Sequence, residues 1–277
     1  MKISVIVPTY NRHIALKLCL MSLSVQSIVP DEVLVADDGS GDRTASVIND
    51  FRSSNQCNYE LKHVWQEDIG FRKPMIINKT VRESTGDYLI FIDGDCIAHR
   101  HFVRAHVENA EQDAVLGGKR VEFGNKLTEQ LLQKGEFINR LTYRLLWDSI
   151  VSDSRKVDEA FQINNPLLRR ILHRDRITDD GIWGCNFSIY KKLFYDINGS
   201  DEDFRDGSLE DNDIGIRVLN GGGKVKSARA RAIVFHLWHP ASWSRADEKF
   251  IYNQEIVKRR IELREATCKN GIVKLEA

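Results

Sequence analysis

The chain has 277 residues, with 40 Lys and Arg against 40 Asp and Glu and a formal net charge of zero. A general nucleic-acid binder needs a basic surplus to replace phosphate counterions, so that class is excluded. Hydrophobic residues at 42% and charged residues at 29% describe an ordinary globular chain, not a disordered, collagenous or coiled-coil one.

In chain order, Ile3–Val7 reads as a buried strand, Ala15–Leu23 as an amphipathic helix and Glu32–Ala36 as a second strand. Thr44–Phe51 is helical, Leu61–Trp65 is a third strand and Met75–Glu83 is helical again. Tyr88–Ile92 is a wholly apolar run between polar turns, as expected of a strand covered on both faces. This alternation predicts an α/β fold with a doubly wound, mainly parallel sheet flanked by helices. Such sheets bind ligands beyond the carboxyl ends of their strands, here at Thr9–Asn11, Asp37-Asp38 and Asp93-Gly94-Asp95.

The second half is less regular. Residues 125–175 read as mostly helical, with apolar spacing at Leu127, Leu131 and Leu132 and again at Leu141, Leu145 and Leu146. Trp183–Ile189 is a predicted strand, Leu209–Leu219 a helix, Ile233–Phe235 a strand, and residues 244–266 a charged amphipathic helix. No linker interrupts the chain. One continuous domain is expected, with a nucleotide-binding half at 1–120, an acceptor and catalytic half at 121–244 and an appended helix at 245–277. Five scattered cysteines without CxxC spacing argue against a disulfide framework, and the N-terminus lacks a signal-peptide pattern. A cytoplasmic location is expected. Along the last helix Lys249, Lys258, Arg259, Arg260 and Arg264 are offset by Glu248, Glu255, Glu262 and Glu265, so membrane association is at most peripheral.

Several constellations carry chemistry. Asp93 and Asp95 follow the buried strand; like charges this close raise each other's pKa, and a hard divalent cation such as Mg²⁺ or Mn²⁺ relieves the conflict. A turn is the plain alternative, since Asp and Gly both favour one. Asp37-Asp38-Gly39-Ser40 can offer a carboxylate to a nucleotide across the strand ends, but taken alone it reads better as a simple turn. Ser208 is placed to cap a helix whose first turn holds Glu210, Asp211 and Asp213, where the helix N-terminus should lower an acid's pKa. His236 and His239 end a late strand, and either imidazole can join a metal site. The absence of GxGxxG and of GxxxxGK[ST] disfavours dinucleotide and P-loop chemistry.

Together these residues resemble the family 2 inverting glycosyltransferases with the GT-A nucleotide-sugar fold. Ser4–Arg12, Val35–Ser40 and Gly86–Asp95 are similar to that family's first, second and DxD strands. Gly184–Ile189 and Glu210–Asp213 resemble the C-terminal segment of galactosyl- and N-acetylgalactosaminyltransferases. The resemblance implies that Pro8, Tyr10 and Asp38 hold uridine, that Arg72 contacts the uridine or its phosphates, and that Asp93 binds ribose. It implies Asp95 and His236 as metal ligands, Trp183, Gly184 and Asn186 around the sugar, Glu210 on sugar hydroxyls and Asp211 as catalytic base. Two positions depart from the family pattern: Arg205–Leu209 replaces the usual Trp-Gly before the Glu-Asp pair, and Ile77 stands where Arg is common. The implied reaction moves a hexose or N-acetylhexosamine from a UDP-sugar to a glycan or glycolipid hydroxyl, with Mn²⁺ or Mg²⁺ and no nucleic-acid partner. A nucleotidyltransferase or a non-catalytic nucleotide- or carbohydrate-binding module is the alternative. Under this reading the zero net charge conceals an acidic sheet edge that a diphosphate approaches only with a divalent cation.

Overall fold

A computed structural model describes residues 1–135, 147, 153–177, 181–240, 244 and 246–275. The strands are β1 (Ile3–Thr9), β2 (Glu32–Asp37), β3 (Glu60–Trp65), β4 (Tyr88–Phe91), β5 (Cys96–Ala98), β6 (Ala114–Gly117), β7 (Val121–Glu122), β8 (Phe187–Tyr190), β9 (Lys224–Ser227) and β10 (Val234–His236). The helices are α1 (His13–Ser24), α2 (Asp42–Arg52), α3 (Lys73–Glu83), α4 (Phe102–Glu108), α5 (Asn125–Lys134), α6 (Pro166–Ile171), α7 (Lys191–Asp196), α8 (Glu210–Asn220) and α9 (Glu248–Glu262).

Seven strands form the central sheet in the order β3-β2-β1-β4-β8-β6-β9. All pairs are parallel except those of β8, which runs antiparallel to both β4 and β6. The sheet therefore crosses the expected boundary near residue 120. Alternation decides which face each side chain joins: Val5 and Val7 of β1 pack with Leu16, Leu20 and Val35, while Ile6 packs on the other face with Leu34, Ile76 and Phe91. Both faces are covered, which is why the centres of β1 and β2 are apolar on both sides. The strand order reverses between β1 and β4, which run parallel, and a crevice opens there beyond their carboxyl ends.

A second sheet, β5-β10-β7, lies over the end of the first. Its pairing places His236 opposite Cys96, directly after the Asp93–Asp95 turn. A third apolar cluster (Leu18, Ile97, Phe123, Leu127, Phe235) joins α1, this small sheet and α5. Being covered on both sides, α1 is buried around most of its surface instead of having the amphipathic character its sequence suggests.

Among the described residues of 125–175 the expected helix is present as α5, with Leu127 and Leu131 buried, and as the six residues of α6; Arg155 bridges to Glu122 and a 3₁₀ turn (Val157–Ala160) lies between the two helices. Leu141, Leu145 and Leu146 lie outside the described residues. The strand expected at Trp183 starts at Phe187, because residues 183–186 turn into the site. The last helix begins only at Glu248, and it is docked rather than appended: Phe250, Asn253, Ile256 and Arg260 are buried.

Candidate active site

The crevice holds a cleft of about 420 Å³ lined by Pro8, Thr9, Tyr10, Asp38, Asp93 and Asp95, among others. Strand ends deliver these side chains: β1 brings Pro8 and Thr9, β2 brings Asp38 and β4 brings the two aspartates. Gly94 lies against β1, where a Cβ would meet Thr9 Oγ1 at 3.0 Å and Pro8 O at 3.1 Å. The buried Thr9 hydroxyl has no hydrogen-bond partner among the described residues, which leaves it available to a ligand. Tyr10 is exposed and donates to Asp68 Oδ2 at 2.8 Å. Asp38 accepts the Arg72 backbone N–H at 2.8 Å and the Gln66 amide, so Gln66 sets its orientation. Burial nevertheless pushes the Asp38 carboxyl above its usual range. Arg72 contributes its backbone here, and its guanidinium donates to Glu67 O and Met75 Sδ.

Asp95 is the hub of a carboxylate–imidazole cluster. His236 Nε2 lies 3.6 Å from Asp95 Oδ1 and His239 Nε2 lies 3.3 Å from Asp95 Oδ2. One ligand atom from each of the three residues falls within 4.8 Å of the others, a set of hard and borderline donors that fits one divalent cation with positions left open. Both imidazoles therefore reach the site. Burial lowers His236 to about 4, which keeps that ring neutral, whereas the hydrogen bond to Asp95 raises His239. Asp95 itself does not follow the like-charge expectation. Burial works to raise it, but His239, His236 and Arg12 together hold it far below the usual carboxylate range.

A second pocket, about 670 Å³, adjoins the cleft and shares Lys73 and Asp93 with it. Trp183, Gly184, Glu210 and Asp211 line this pocket. Helix α8 opens after Leu209, which adopts a left-handed φ of 69°. Ser208 is not its cap; the Ser208 hydroxyl donates to Asp206 instead. Asp211 Oδ2 accepts the Gly184 N–H at 2.9 Å. Only glycine allows that approach, since a Cβ at Gly184 would sit 2.2 Å from the same oxygen.

Sequence reasoning missed the cation at the centre. Lys73, at the start of α3, lies 3.4 Å from Asp93, 3.3 Å from Glu210 and 3.9 Å from Asp211. A lysine in a first helical turn opposes the helix dipole, and that was the available signal. The expected lowering of Asp211 by the helix N-terminus is also overturned. Burial raises Asp211 and Asp93 adds to it, against the opposing pull of Lys73 and the Gly184 N–H. Burial and the Asp211 charge push Glu210 up to about 8. Burial thus pushes both carboxyls of the pair toward their protonated forms.

Asn186 does not line the sugar pocket. Its side chain is fully buried, donating to Lys119 O and Ala232 O at 2.7 and 2.8 Å and meeting His106 Nε2 at 3.1 Å. It ties β8 to the chain before β7 and so fixes the turn that carries Trp183 and Gly184. The purely acidic edge expected from the sequence is also corrected: Arg12, Lys73 and Arg120 stand among the carboxylates.

A mainly parallel sheet, a crevice where its strand order reverses, carboxylates at the strand ends and a buried acid pair beyond them describe an α/β ligand-binding site. The profile of "Glycosyl transferase family 2" matches residues 4–196, and that of "N-terminal domain of galactosyltransferase" matches residues 174–240. The chain belongs to glycosyl transferase family 2. It is 30% identical to the glycosyltransferase YfnE of Bacillus subtilis over 90% of this chain and 68% of that one. It is 29% identical to validoxylamine A glucosyltransferase of Streptomyces hygroscopicus subsp. limoneus over 78% and 47%, and 27% identical to Escherichia coli chondroitin synthase over 88% and 36%. The chain thus spans less than half of the latter two relatives. The mannosyltransferase of Pyrobaculum calidifontis, in complex with GDP-Man and Mn²⁺, superposes with a TM-score of 0.61 at 16% identity, covering 96% of this chain and 69% of that one. S. aureus TarS 1–349 with UDP-GlcNAc gives 0.58 at 20% identity over 93% and 65%. The fold is GT-A, and the family makes the chain a glycosyltransferase.

Proposed function

We propose that the chain is a metal-dependent, inverting transferase that moves a hexose or N-acetylhexosamine from a UDP-sugar to a hydroxyl of a glycan or lipid-linked saccharide in surface polysaccharide synthesis. The observation that carries this reading is the junction of the two pockets, where Lys73 joins Asp93 of the cleft to Asp211 of the second pocket. In the proposed arrangement residues 1–120 bind the nucleotide and 121–244 supply the acceptor side. Pro8, Tyr10 and Asp38 hold the uridine, Thr9 Oγ1 donates to the donor, and Asp93 binds the ribose.

Asp95, His236 and His239 would hold the Mn²⁺ or Mg²⁺, which when bound neutralises the departing diphosphate. Lys73 and Arg12 add positive charge beside the same path. Trp183 and Gly184 border the sugar, and Glu210, carrying its proton, donates to a sugar hydroxyl. Asp211 removes the proton from the attacking acceptor hydroxyl. Its raised pKa strengthens it as a base, while the Gly184 N–H and Lys73 hold it in place and ionised. Inversion follows because one face of the sugar meets the acceptor and the other the diphosphate. The relatives named glucosyltransferase and chondroitin synthase, and the TarS complex with UDP-GlcNAc, support this substrate class.

The test is incubation with individual UDP-sugars and Mn²⁺, with and without saccharide acceptors, measuring UDP release. Slow release without acceptor, accelerated by one acceptor class, is the expected result. No release from any UDP-sugar would remove the reading.

A further inference from the structure

One surface element has the opposite polarity to the rest of the molecule. In α6 the buried side chain is Arg169, and the exposed ones are Leu167 (67%), Leu168 (44%) and Ile171 (63%). Leu172 and Phe161, each 47% exposed, flank them. Five large apolar side chains within twelve residues make a contiguous tip of the kind that monomeric soluble proteins avoid.

The tip is held rigidly. Arg169 Nη2 donates to Arg174 O and to Ser227 O, each at 3.0 Å, which pins the helix to the end of β9. Glu159 accepts from Arg174 at 2.6 Å and from Arg229 at 2.9 Å, and the Ile163 N–H donates to Ala230 O at 2.8 Å. Asn165 caps the helix through the Leu168 N–H. The polar groups that could face water are used inside to fasten a base, and the apolar groups are left outside.

The surrounding charge says what the tip meets. Residues 161–176 carry four arginines against one aspartate, although the whole chain is neutral. Of these, Arg170 and Arg176 are exposed, together with His173 and Asp175, so the exposed charge of the segment is net positive. A second copy of the same surface would oppose like net charge, which disfavours self-association. An apolar tip with net positive charge beside it is complementary to an anionic bilayer surface, with the leucines in the acyl boundary and the two arginines at the phosphates.

We propose that the Phe161–Arg176 segment is a membrane-docking element that seats the enzyme on anionic lipid. Among the described residues no helix is long and apolar enough to cross a membrane. Ile177, just beyond the segment, and Ile182, which lines the second pocket, both lie against Gly117, so docking would present that pocket to acceptors anchored at the same surface. That purpose rests on the proposed lipid-linked acceptor; the docking itself does not.

The experiment is co-sedimentation of the full chain with phosphatidylcholine vesicles containing either none or about 30 mol% phosphatidylglycerol, at low and high salt. The wild type should bind the anionic vesicles. Leu167→Ser with Ile171→Ser should weaken that binding at least about ten-fold, and Arg170→Glu with Arg176→Glu should weaken it in a salt-sensitive manner. Thermal melting and UDP release in solution should be unchanged in both variants, because none of the four side chains enters the donor site. Wild-type protein left in the supernatant, or variants that bind like wild type, would overturn the proposal. So would a dimer in light scattering that the serine variant abolishes. Vesicle binding without UDP release would leave docking intact and count only against the transferase reading.

Discussion

Helix α8 carries two sets of acids one turn apart, and they have opposite fates. Asp213 is fully buried and fully paired: Arg217 Nε reaches its Oδ2 at 2.6 Å, and Arg260 Nε of α9 reaches its Oδ1 at 3.0 Å. Arg260 continues to Asp201, so one network ties α8, α9 and the preceding loop together. Glu210 and Asp211 share the cation Lys73 with Asp93, and they face a pocket. Asp213 has as many cations as oxygens and is structural. The other pair shares one lysine with a third carboxylate, and burial raises both of its members.

The comparison can be broken in order of effect size. Asp211→Asn should lower acceptor-dependent transfer by about 10²–10⁴-fold, the range of a general base, with UDP affinity and melting temperature unchanged. An undiminished rate would remove the base assignment. Asp213→Ala should do the reverse, costing about 3–5 kcal/mol in chemical denaturation because it takes the carboxylate from buried Arg217 and one of those paired with Arg260, while leaving turnover per folded molecule near wild type. Equal loss of activity and stability in both variants would erase the distinction between the two sets.

Lys73→Met should have an intermediate effect. The acid pair loses its cation, so the acidic limb of the pH–rate profile should move to higher pH, and kcat should fall more than KM rises. A purely structural role would lower stability without moving that limb. Glu210 has a linkage consequence of its own. Its folded pKa, about 8, lies above the usual 4.5, so the native state binds the proton more tightly. The stability it contributes is complete below about pH 4.5 and is lost as pH rises to about 8. Glu210→Gln should flatten the decline of stability across that window, measured by urea unfolding at several pH values. The smallest effect belongs to the exposed Arg104–Glu108 pair on α4, whose removal should leave the melting curve within error.

Much of this was legible in the sequence because parallel strands announce themselves. Apolar runs ending in Thr9, Asp38 and Asp93–Asp95 located the crevice before any tertiary information. What could not be read is convergence from distant elements. Lys73 lies 137 positions from Glu210, and nothing local links them beyond a cation where the dipole disfavours one. Asn186 sits in a motif that reads as a pocket wall, yet the strand begins one residue later and turns the amide inward. Glu210, Asp211 and Asp213 looked like one acidic run; only the Arg217 four residues on hinted that Asp213 belonged elsewhere, and Arg260 gave no local sign. Within 125–175 the leucines of α5 follow the helical spacing inward, whereas those of α6 face outward, a difference that spacing alone does not show.

The pairing of β10 with β5 has a consequence for biosynthesis. Asp95 emerges from the ribosome early, but its two imidazole neighbours follow some 140 residues later. At about 5–20 residues per second, the nascent chain spends several seconds or more with the first sheet able to fold while its carboxylate waits for them. The cluster can close only after residue 239 has been translated, so ion uptake at the proposed metal site would act as a stopwatch for the last stage of folding. Ribosome-stalled chains ending before and after that point should differ in their ability to take up the ion.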